Sequence, residues 1–182
     1  MRRDEKLNLP VNWEEILEQM ILRWPINTRC ERIYICSPCR ADTPEGVIRN
    51  MKAARVYMFY TSIHFVGVPK APHAYLPVLL NDLYEDEREL ALRVGKQFLK
   101  GCDRLFVCGD RLSEGMYSEV TAAVRYGITI SVFNRQVYEE LLERFAGDGV
   151  DPESVHCIDR NLHYALSWGA DELAPYWEEA QT

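Results

Sequence analysis

The sequence predicts an α/β fold, a Rossmann-like open parallel sheet of four to five strands with helices on both faces. Three observations point to it. The runs ERIYIC, DRLFVC and ITISVF are short and almost wholly apolar, as strands buried on both faces are. Segments with helical spacing alternate with them, giving strand–helix–strand–helix through most of the chain. The loops that follow the strands, SPCRADTPEG, PKAPHAYLP and GDRLSEG, gather Ser, Pro, Arg, Asp and Gly where such sheets bind ligands.

Taken in order, residues 1–11 read as a polar arm. The segment 12–24 spaces Trp13, Ile16, Leu17, Met20, Ile21 and Trp24 along one helical face and stops at Pro25. Residues 31–38 form the first strand, closed by Ser-Pro. A helix over 43–62 opens on Thr-Pro-Glu, and a short strand follows at 64–69. A proline-rich loop with a helical turn leads to a helix over 86–100, for which Asp86 is a candidate cap. The third strand is 103–108, with Asp103 at its start. Next come a helix ending on Gly127, a strand over 128–133 and a helix over 134–149 closing on Gly147. A last strand is expected within 153–159. The whole, 1–182, reads as one domain with a C-terminal extension over 150–182, whose Tyr164, Trp168, Tyr176 and Trp177 pack back on the body or meet a partner.

Composition narrows the function. A net charge of −7 on 182 residues argues against a general nucleic-acid binder. No apolar run reaches the roughly 18–20 residues of a membrane helix. The start, MRRDEKLNLPVNWEE, lacks the apolar core of a secretory signal, so a cytoplasmic protein is expected. The six cysteines are scattered and read as buried free thiols. Cys36 and Cys39 form a CxxC, but no second pair or flanking histidine completes a zinc set; a redox role is the minor reading. Walker A, GxGxxG and HExxH patterns are absent, and neither metal nor cofactor is expected.

The third-strand loop carries the chemistry. Ser113 is placed to cap the following helix, and Gly115 lets a ligand approach its backbone, a unit suited to phosphate. At ~100° per residue Met116, Val120, Ala123 and Gly127 share an inward stripe, while Ser118, Thr121 and Arg125 face away. Glu119 falls on the border of that stripe, one turn from the ligand end. A carboxylate there is a nucleophile, a base or an ion-pair member. Arg40, in the first loop, is a candidate anion contact; Arg55, mid-helix, reads as a partner for an anion or as a solvated residue. Ser37, His73 and Met116 complete the candidate ligand contacts. Asp82 and Asp110 are the free carboxylates nearest the same edge.

The strand YICSP (34–38) and the pattern Asp-led apolar run, then Ser-x-Gly-x-x-x-Glu (Ser113, Gly115, Glu119), resemble the nucleoside 2-deoxyribosyltransferase-like superfamily, including its deoxynucleoside monophosphate N-glycosidase branch. The likeness covers roughly 32–133. It implies that Glu119 is the nucleophile attacking the anomeric carbon, that Ser113 and Gly115 contact a phosphate, and that the protein is a homodimer or higher homo-oligomer. The general acid of the family falls on Asp82 or Asp110. The expected activity is cleavage of a nucleoside or nucleotide N-glycosidic bond, or deoxyribosyl transfer. Two other readings stand beside it: a non-catalytic module binding a nucleotide-derived ligand, and a scaffold acting through its surface.

Overall fold

The computed structural model describes residues 30–81, 84–158 and 166–173. The helix expected over 12–24, Asp82, Tyr164, Tyr176 and Trp177 lie outside the described residues.

Five parallel strands form one sheet in the order β2-β1-β3-β4-β5. They are β1 (Glu31–Cys36), β2 (Gly67–Lys70), β3 (Arg104–Val107), β4 (Thr129–Val132) and β5 (Val155–Cys157). The helices are α1 (Pro44–His64), the short α2 (Leu76–Leu79), α3 (Glu85–Lys100), α4 (Glu114–Arg125) and α5 (Arg135–Asp148). This is the open α/β sheet that the alternating pattern predicts.

Two cores lie on opposite faces. Tyr34 and Cys36 of β1, Leu105 and Val107 of β3, and Ile130 and Val132 of β4 pack with Leu99 of α3, Met116, Val120 and Ala123 of α4, and Leu141 and Phe145 of α5. Ile33, Ile35 and Phe106 pack on the other face with Ala53, Ala54, Tyr57 and Met58 of α1. β1 and β3 thus send alternate side chains to both cores, the reason their inner residues are all apolar. On the second face α1 covers β1 and β3. Farther along, Leu166, Trp168 and Leu173 of the C-terminal extension join Phe133 and Ile158. The extension therefore does pack back on the body where it is described.

Several boundaries move, each for a local reason. Helix α1 runs to His64 because its last carbonyls stay paired, Phe65 N–H closing on Thr61 O, so β2 begins only at Gly67. Helix α3 starts after Tyr84, which makes no side-chain cap; Asp86 sits in the first turn beside Glu85 and Glu87, where the helix dipole favours carboxylates. Gly127 lies past the end of α4, exposed and left-handed, rather than on its inward stripe. Helix α5 passes through Gly147 and ends at Gly149, whose φ of 66° supplies the left-handed cap. Asp103 takes the backbone N–H of Arg32 and its guanidinium at 2.8–3.1 Å, tying the starts of β1 and β3 together.

Candidate functional site

The strand order reverses between β1 and β3. From β1 the chain moves outward to β2; from β3 it moves the other way to β4 and β5. Loops leaving the carboxyl ends of β1 and β3 therefore lead to helices on opposite faces, the switch point at which open α/β sheets form a ligand crevice. Ser37, Pro38 and Arg40 come from one side of it, and Gly109, Asp110 and the start of α4 from the other. The 3₁₀ turn Pro72–Ala74 after β2 brings His73 to Ser37.

On the face of α3, α4 and α5, in the second turn of α4, lies Glu119. Its Oε1 accepts a hydrogen bond of 2.8 Å from Tyr34 Oη. Burial pushes the Glu119 carboxyl above the usual carboxylate range; the Tyr34 hydroxyl, the Cys36 thiol and the Lys96 ammonium pull the other way. Tyr34 is itself 1% exposed, and burial and the neighbouring carboxylate raise its pKa well above the ordinary phenol value. The hydroxyl thus stays a donor. Cys36, fully buried, is raised well above the usual thiol value by burial first and Glu119 second, and its thiol donates to Met116 O at 3.9 Å. A cysteine so held is poor material for thiolate chemistry, and the cysteines form no disulfide.

Gly95 of α3 closes the arrangement. A β-carbon there would lie 3.4 Å from Tyr34 Oη and 3.7 Å from Glu119 Oε1. The helix backbone therefore passes directly over the pair, and Lys96 follows it with an exposed side chain.

The remaining expected residues fall as follows. Ser113 caps α4, its Oγ accepting from Met116 N–H at 3.3 Å. Met116 has its amide taken by that cap and its side chain in the core, 2% exposed. Gly115 is exposed, and a β-carbon there would meet only Ser113 Oγ at 3.9 Å, so the backbone is open to approach. Arg40 is exposed on the first loop. Ser37 Oγ and His73 Nε2 lie 2.8 Å apart, and burial lowers the His73 pKa to about 4, leaving the ring neutral. Arg55 is not a solvated residue: it donates twice to Ala74 O and lies 5.1 Å from the Tyr75 ring centroid, fastening the turn that holds His73. Asp110 is exposed immediately after β3.

Sequence reasoning missed Tyr34, Gly95 and Lys96. One signal was present. Tyr34 alternates with Ile33 and Ile35, which sends its ring to the face that α4 covers, and a buried tyrosine hydroxyl requires a partner. Among the described residues no group of three or more His, Cys, Asp or Glu is arranged to hold a metal ion. No described helix is long and apolar enough to cross a membrane.

A family described as a domain of unknown function, DUF7768, matches residues 31–133, from the start of β1 to the residue after β4. No curated protein matches the chain.

Proposed function

The chain belongs to the DUF7768 family, and we propose that it cleaves the N-glycosidic bond of a nucleoside or nucleotide, or transfers its deoxyribosyl group, with Glu119 as nucleophile. One observation supports this above the others: a part-buried carboxylate, oriented by Tyr34 Oη at 2.8 Å, stands in the second turn of the helix that leaves the strand-order reversal.

In this reading the sugar approaches the Glu119 oxygen that Tyr34 does not hold. The carboxylate oxygen bonds to the anomeric carbon while the bond to the base nitrogen breaks, its electron pair leaving with the base. An acid in the crevice protonates the departing base. Water, or a second base, then attacks the anomeric carbon and releases Glu119. Tyr34 holds one oxygen so that the other is presented. Ser113 and the open backbone at Gly115 suit a 5′-substituent, and Arg40 on the loop after β1 would supply charge for a phosphate. A homodimer, implied by the likeness to nucleoside 2-deoxyribosyltransferases, belongs to the same proposal and is read by sedimentation.

Incubation with a panel of nucleosides and 5′-monophosphates, read by chromatography for free base, tests the reading. Release that vanishes in Glu119→Ala supports it; no release from any substrate overturns it. Binding without turnover is the second reading, favoured by the burial that biases Glu119 toward its protonated form. A nucleotide that raises the melting temperature but is never cleaved would select it.

A further inference from the structure

Outside the family-matched region, residues 166–173 cross the carboxyl end of β3 as a strap. Leu166 O accepts the Gly109 N–H at 3.1 Å. Trp168 O accepts the hydroxyl of Tyr57, from α1. Gly169 N–H donates to Glu172 Oε2 at 2.9 Å, and Asp171 pairs with Arg49 of α1 at 3.2 Å. Leu166 and Leu173 are buried to 1% and 2% exposure at the two ends. The strap is thus anchored to both the sheet and α1.

It also passes close to Asp110. A β-carbon on Gly169 would stand 2.6 Å from Asp110 Oδ2 and 3.0 Å from its Cγ. The carboxylate therefore lies flat against the strap backbone at the one residue with no side chain. The peptide just before it is held as well, through Gly109. Asp110 is otherwise exposed, in the loop that follows β3 at the carboxyl edge of the sheet. The Tyr57 hydroxyl, already raised by burial, also feels the charges of Asp110 and Glu172, which places all three groups together.

We propose that Gly169 is a positioning residue for Asp110, and that the strap holds this carboxyl where it protonates the leaving base. The inference rests on the glycosidic reading above. In its acid form Asp110 gives its proton to the base nitrogen as the bond to the anomeric carbon breaks toward the base. The carboxylate so formed takes a proton from the water that releases Glu119, which restores the starting state.

The test compares 2′-deoxyguanosine with N7-methyl-2′-deoxyguanosine, whose cationic base leaves without a proton. In the full-length protein Gly169→Ala is expected to lower kcat on the first by roughly 10–100-fold and on the second by less than about 3-fold, because general acid catalysis is worth that order only where a proton is needed. Asp110→Asn is expected to match it, and Glu119→Ala to abolish both reactions. Should Gly169→Ala fail to fold, Tyr57→Phe, which frees the strap at Trp168 without adding bulk, is expected to give the same selective loss at smaller size. Equal losses on both substrates, or none, overturn the positioning role and leave the glycosidic reading intact. Wild-type protein inactive on both overturns the positioning role as stated, while the wider panel of nucleosides and 5′-monophosphates decides the glycosidic reading.

Discussion

Tyr34 and Glu119, 85 residues apart in sequence, meet in a 2.8 Å hydrogen bond that joins the middle of β1 to the second turn of α4. The bond offsets part of the burial that disfavours the ionised carboxyl. Its removal has a definite sign. Tyr34→Phe raises the Glu119 pKa further, so the acid limb of a kcat/KM–pH profile moves to higher pH. A fall in rate of about 10-fold or more near neutrality is expected, one hydrogen bond to a charged group being worth about 1.5–3 kcal/mol. An unmoved limb would separate Tyr34 from the titration of Glu119.

The same burial makes Glu119 a cost to the fold. Its folded pKa stands above the unfolded value, so as pH rises through the unfolded value the unfolded chain loses a proton that the folded chain retains. Stability therefore declines across that interval and stays lower above it. Glu119→Gln removes the charge while leaving an acceptor for Tyr34. It is expected to abolish turnover and to stabilise the protein by about 1 kcal/mol at pH 7, with the gain fading toward pH 4, as at other strained functional positions. Chemical denaturation at the two pH values measures it.

His73 works in the opposite direction. Its pKa is lowered to about 4 by burial, while the unfolded ring titrates near 6.5. As pH falls between those values the unfolded chain gains a proton and the folded chain does not, so stability is lost there and no further below about 4. The loss is at most about 3 kcal/mol, at 1.36 kcal/mol per unit of pKa. A His73→Gln variant is expected to show a flatter profile between pH 6.5 and 4; an identical slope would assign the loss to other groups.

Gly95 separates stability from access. A β-carbon there meets Tyr34 Oη and Glu119 Oε1 at ordinary contact distances, 3.4 and 3.7 Å. Alanine fits the middle of α3 and gains up to about 1 kcal/mol of helix propensity. It also sets an apolar methyl beside the carboxylate, further desolvating it. Gly95→Ala is expected to melt higher while its acid limb shifts upward like that of Tyr34→Phe.

The strands and their order of appearance were legible because burial on both faces leaves so little room for polar residues in ERIYIC or DRLFVC. Glu119 was legible as a carboxylate on the edge of an apolar stripe, and Ser113 as a cap by residue type and place. The partner of Glu119 was not. Pairing in a parallel sheet is set by crossovers, and nothing local to Tyr34 says that α4 will lie across β1. Arg55 misled for a related reason: its helix position suggested solvent, but the turn that accepts its two hydrogen bonds arrives from beyond β2. The strap over Asp110 was likewise invisible, since a glycine at position 169 speaks only once its neighbour is known.

The extent of the strap also distinguishes what is inherited from what can fold. The family-matched region ends at Phe133, whose ring packs edge-on against Phe106 and Phe65 at 4.9 and 6.0 Å between centroids. Leu166, Trp168 and Leu173 join those rings in the same core, and α5 shields the other face of β4. A chain cut at 133 would present three aromatic rings and an uncovered strand edge to water, a recipe for self-association. The shared ancestral block and the cooperative folding unit are different lengths of polypeptide, and a recombinant fragment drawn to the first is expected to be recovered as aggregate.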